Sequence, residues 1–83
     1  MVTSKAEYRV EATFVLGPDF IQRTRELEGI VGAKCGGSGA GVDGERDVSW
    51  YFKPEQLEVA VAAYNSLSKV GWLKGVEWEV VEP

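Results

Sequence analysis

Residues 46–70 constrain this chain more than any other stretch. Val48, Trp50 and Phe52 alternate with Asp47, Ser49 and Tyr51, the period of two of a strand that buries one side. Pro54 follows, where a first helical turn loses nothing by its missing N–H. Leu57, Ala60, Val61, Tyr64, Leu67 and Ser68 then recur at steps of three and four, which lines them along one side of a helix. The spacing predicts a strand over 46–52 and a helix over 54–69, with Gly71 as the stop. Three bulky residues on one strand face, beside an apolar helical stripe, make a core nucleus.

The remaining segments fit around that nucleus. Tyr8, Val10, Ala12, Phe14 and Leu16 alternate with Arg9, Glu11, Thr13 and Val15, a first strand with one buried side. Gly17-Pro18-Asp19 ends it, with Asp19 placed to cap the next helix. Phe20, Ile21 and Leu27, with Thr24 between them, fit a short helix over 20–28 that Gly29 terminates. Ile30 to Lys34 reads as a short second strand. The run Gly36, Gly37, Ser38, Gly39, Ala40, Gly41 and the following Val42-Asp43-Gly44-Glu45 are too costly in backbone entropy to hold a regular element. They predict a flexible hairpin loop over 36–45. Trp72 and Leu73 fall in a connection, and Val76, Trp78 and Val80 alternate with Glu77, Glu79 and Val81 in a last strand.

Strand, helix, strand, strand, helix, strand resembles the ferredoxin-like superfold. The resemblance implies one α+β domain over 1–83, a two-layer sandwich. Two helices would cover one face of a four-stranded antiparallel sheet of order 4-1-3-2. The first and third strands, which alternate best, would be central. That architecture hosts many unrelated functions and implies none of them.

Composition narrows the classes. The chain has 83 residues, a formal charge of -4, one cysteine and no histidine. No intrachain disulfide can form, which suits a reducing, cytoplasmic setting. The first seven residues carry no apolar run of a signal peptide, and no stretch is long enough to span a bilayer. The sequence reads as a complete small soluble protein with no membrane association. Its acidity argues against binding nucleic acid through phosphates, which calls for a basic footprint. It favours a basic protein surface as partner.

Each candidate site also has an ordinary structural role. Without histidine, no Cys–His or Ser–His nucleophile pair exists, and no motif gathers two carboxylates into a pocket, so a non-enzyme is expected. Cys35 beside Lys34 could have a lowered thiol pKa, but a small strand residue is the simpler reading. Asp43, Glu45 and Asp47 have the spacing of calcium-loop oxygens without the bidentate carboxylate that closes such a loop, so neither metal nor cofactor is expected. The glycine stretch runs from strand to strand, not into a helix N-terminus, and lacks the Gly-Lys-Ser/Thr ending of a phosphate loop. Its functional reading is a loop, Gly36, Gly37, Ser38, Gly39 and Gly41, that orders on a partner.

The open sheet face should carry Glu11, Asp47, Tyr51, Glu77 and Glu79, an acidic surface with one outward ring. Base-stacking RNA domains need several rings there. Trp72 has two readings, an exposed binding anchor or a ring folded back over the end of the core. Arg23, Arg25 and Lys34 form a small basic spot of solvated charge. The expected function is that of a small acidic protein-binding domain, an inhibitor or adaptor of phage or mobile-element type. One rival is a small-molecule-sensing module forming a homodimer through its sheet edges. The other is a single-stranded RNA-binding domain.

Overall fold

The alternation at residues 8–16 becomes β1 (Glu7–Val15), the strand that joins the sheet. In this computed structural model, which describes residues 7–40 and 44–81, β1 is followed by α1 (Phe20–Val31), β2 (Gly37–Ala40) and β3 (Glu45–Phe52). A single 3-10 turn (Pro54–Gln56), α2 (Leu57–Leu67) and β4 (Gly75–Val81) complete the chain. The four strands form one antiparallel sheet in the order β2-β3-β1-β4. Together with two helices it makes a small single α+β domain.

Register fixes which side chains share a face. Val10 pairs with Trp50 and Trp78, and Ala12 with Val48 and Val76. These even-numbered residues point to the helical side. There Val10, Ala12, Phe14, Val48, Trp50 and Phe52 form one buried cluster with Leu27 of α1 and Ala60, Ala63 and Leu67 of α2. Each of the larger side chains removed from water contributes about 1.5–3 kcal/mol. Trp50 is 1% exposed, and its indole N–H donates to the Ala33 carbonyl at 2.9 Å, so its one polar atom is satisfied inside. Arg46 shares this side of the sheet. Its Nε donates to the Thr24 hydroxyl at 3.2 Å, and its guanidinium lies 5.0 Å from the Phe20 ring centre.

Several local expectations give way. Helix α1 runs through Gly29 and stops at Gly32, whose φ of 83° is the left-handed conformation of a helix C-cap. The Gly32 N–H closes the last turn on the Glu28 carbonyl at 2.8 Å. Residues predicted as a second strand, Ile30 and Val31, are therefore helical. The strand is instead Gly37–Ala40, inside the segment predicted to be a loop. β3 offers a ready ladder, so Gly37 and Gly39 pair with Ser49 and Asp47 despite the entropy cost of glycine. Cys35 consequently sits between α1 and β2, not in a strand. Gly41 and Asp43 lie outside the described residues.

The helices also choose their faces differently. In α1 the inward line is Phe20, Thr24, Leu27 and Val31, while Ile21 is exposed. In α2 two apolar stripes compete. Ala60, Ala63 and Leu67 are buried, while Leu57 and Val61 are exposed and Tyr64 is half-buried. The sheet takes the stripe whose alanines permit close approach. Asp19 holds the N-cap position of α1 without a side-chain cap bond. Its carboxylate accepts from Arg23 Nε at 2.9 Å instead.

Candidate functional site: the open sheet face

Odd-numbered residues of β1, β3 and β4 build the face away from the helices, and the pairing arranges them in rows. Arg9 lies between Tyr51 and Glu79. Glu11 lies between Ser49 and Glu77, with Gly37 beyond Ser49. Thr13 lies between Asp47 and Gly75, with Gly39 beyond Asp47. The structure thus brings together Glu11, Asp47, Tyr51, Glu77 and Glu79 on one side of the sheet. Glu45 belongs to the same side, opposite Val15. Parity made the first five legible in the sequence, whereas Glu45 falls in the predicted loop and joins the face because β3 begins one residue earlier.

Arg9 is the basic centre of this surface. It forms ion pairs with Glu79 and, at 3.8 Å, with Glu11. Desolvation pulls its pKa down, but polar contact with the Tyr51 side chain and the charges of Glu11 and Glu79 outweigh this and hold it above its ordinary value. Arg9 Nε is buried without a hydrogen-bond partner, so the guanidinium is committed through its terminal nitrogens. A shallow depression of about 330 Å3 lies over Arg9, Glu11, Glu77, Trp78 and Glu79. Glu11 also accepts from the Ser49 hydroxyl at 3.3 Å. This is how Ser49 can be 7% exposed on a polar face without an unsatisfied group. Glu77 enters no ion pair among the described residues.

Tyr51 is 47% exposed and leans over the start of β2. A Cβ on Gly36 would lie 3.0 Å from Tyr51 Cδ1, so the glycine leaves room for the ring. Gly36 also donates its N–H to the Ser49 carbonyl at 2.8 Å. Gly36, Gly37, Ser38 and Gly39 are thus placed along β3 and beside the acidic face.

Trp72 is elsewhere. Its half-buried ring meets Phe14 edge-on at 5.5 Å, and the Arg23 guanidinium stands 4.7 Å from the ring centre. It packs over the end of the core, the second of its two readings, and stands apart from the acidic face. The cause is the turn at 70–73: Leu73 N–H bonds to the Val70 carbonyl, and Lys74 N–H to Thr13 of β1. These bonds fold the connection back onto the core.

The remaining candidates separate. Burial raises the Cys35 thiol pKa, reinforced by its hydrogen bond and charge contact with Glu28. The shift is opposite to the lowering that a neighbouring Lys34 could give. The Cys35 backbone N–H donates to Glu28 Oε2 at 2.9 Å. Of the acidic trio, Glu45 is paired with Lys74, and no cluster of three or more metal-binding side chains occurs among the described residues. No helix among them is long and apolar enough to cross a membrane.

What this face can do chemically is recognise charge: it presents carboxylates around an arginine that Glu11 and Glu79 already engage. Comparison of the chain with known proteins supplies no family membership, since no family model, no curated protein and no solved structure matches it.

Proposed function

We propose that this protein is a non-enzymatic, acidic protein-binding domain that docks its open sheet face on a basic protein surface. One observation carries the reading. The arginine of that face is neutralised by Glu11 and Glu79, so Asp47 and Glu77 leave the outward field negative. A charge-complementary partner gains on-rate and specificity from such a face. The size and acidity suit an inhibitor or adaptor, of the kind phages and mobile elements use to occupy a nucleic-acid-binding surface. The element order and the strand order support assignment of the fold to the ferredoxin-like superfold. The lone Cys35, a free thiol, supports a reducing, cytoplasmic setting.

The test is capture of partners from a cell lysate by immobilised protein, eluted with rising salt, beside the double variant Asp47→Lys/Glu77→Lys. The expected partners are basic, leave at moderate salt, and are lost by the variant. Partners held at high salt, or held equally by the variant, contradict the reading. Retardation of a labelled single-stranded RNA that Tyr51→Ala abolishes would replace it with base stacking on this face.

A further inference from the structure

β4 ends the sheet, and among the described residues no strand neighbours its outer edge in the order β2-β3-β1-β4. Folded proteins usually blunt such an edge with lysine, proline, a bulge or shortness. The opposite edge, β2, is blunted by shortness, with four residues. β4 has seven, GVEWEVV, with no lysine or proline. Its pairing with β1 is continuous from Glu7↔Val81 to Thr13↔Gly75, so no bulge turns it away.

The two sides of this edge differ in chemistry. On the helical side, Val61, Tyr64 and Trp78 line an apolar depression of about 360 Å3, and Val61 and Val80 are 42% and 52% exposed. Trp78 is fixed there by stacking on Tyr8, with ring centres 5.1 Å apart. This is the apolar stripe of α2 that the sheet leaves unused. On the other side stand Glu77 and Glu79, both exposed.

We propose that the outer edge of β4 takes up an extended segment of a partner protein in which basic and apolar residues alternate. The segment runs as a fifth strand. Its backbone bonds to the free edge, its apolar side chains lie against Val61, Tyr64, Trp78 and Val80, and its basic side chains lie beside Glu77 and Glu79. A second copy of the chain is the wrong occupant. Two-fold antiparallel pairing keeps like faces together, so a β4–β4 contact would set carboxylates against carboxylates, which is destabilising. The inference rests on the protein-binding reading but uses the edge of the sheet, not its face.

The probe is a seven-residue peptide alternating lysine and valine, titrated to millimolar concentration into the isotopically labelled protein. A peptide of the same composition with its lysines grouped together is the control. The expected result is movement and slowed exchange of the Gly75–Val81 amides, with weaker binding of the grouped peptide. Glu77→Lys, at an exposed position, should weaken the alternating peptide roughly fivefold or more, from reversal of a cross-strand charge pair. Val61→Ser should weaken it less. Equal binding of both peptides, or changes centred on Arg9, Asp47 and Tyr51 with β4 still, would overturn edge addition while leaving face docking intact. No change at β4 at all overturns it, as do slow-exchanging outward amides of β4 in the free protein or a dimer formed through β4.

Discussion

Trp50 and Tyr51 are adjacent residues of one strand, similar in size, with opposite surroundings. Trp50 is sealed under two helices with its N–H bonded to Ala33. Tyr51 stands half in water among carboxylates, over a glycine. Nothing in their intrinsic strand propensity separates them. The pleat does, because a shift of one residue exchanges core for solvent. The helical face supplies the stability of this domain, and the other face is free to carry charge.

The most direct way to break this contrast is to truncate both rings. Trp50→Ala should cost about 3–5 kcal/mol, enough to unfold much of so small a domain. Tyr51→Ala should stay within about 0.5 kcal/mol, read as a shift in urea midpoint. Comparable losses at the two positions would refute the division of labour. The same logic extends to α1. Leu27→Ala should cost about 2–5 kcal/mol, whereas Ile21→Ala on the exposed side should cost a small fraction of that. Calorimetric melting of the pair checks it.

Smaller effects sharpen the account of the open face. Arg9→Gln should cost about 1 kcal/mol in dilute buffer, because Glu11 and Glu79 lose their partner, and less as salt screens the remaining repulsion. A loss independent of salt would point to packing instead of charge. The smallest effect is the pH dependence of a contact outside both faces. The Cys35 backbone N–H holds the Glu28 carboxyl below its ordinary value. Its folded pKa is therefore depressed, and its contribution is present above the ordinary glutamate range. That contribution fades as pH falls through the lowered folded value. Urea midpoints measured against pH should show a shallower acid limb for Glu28→Gln than for the parent.

Residues 8–16, 46–52 and 76–81 were legible because alternation of large apolar and charged side chains is a local property. It named the open face as well: Glu11, Asp47, Tyr51, Glu77 and Glu79 are brought together as their parity implied. β2 was not legible, since Gly37, Ser38, Gly39 and Ala40 have little side-chain pattern to read. Gly29 is the stop that the sequence predicts for α1, and Gly32 falls in the predicted second strand, yet Gly32 is the C-cap. Only the inward line through Leu27 and Val31 carries the helix past the first to the second. Trp72 likewise had two places to go, and Phe14 and Arg23 decided between them.

The sequence by itself determined the faces of β1, β3 and β4 and the net negative charge, because periodicity and charge are written residue by residue. Tertiary structure alone decided that a glycine run becomes an edge strand, and which of two stripes on α2 is buried. Both outcomes depend on a neighbour already in place: β3 offers hydrogen bonds that glycine could not justify alone, and the sheet admits the alanine side of α2 because it packs closer. The stripe on Leu57, Val61 and Tyr64 is what remains, next to the edge of β4 that no strand pairs among the described residues.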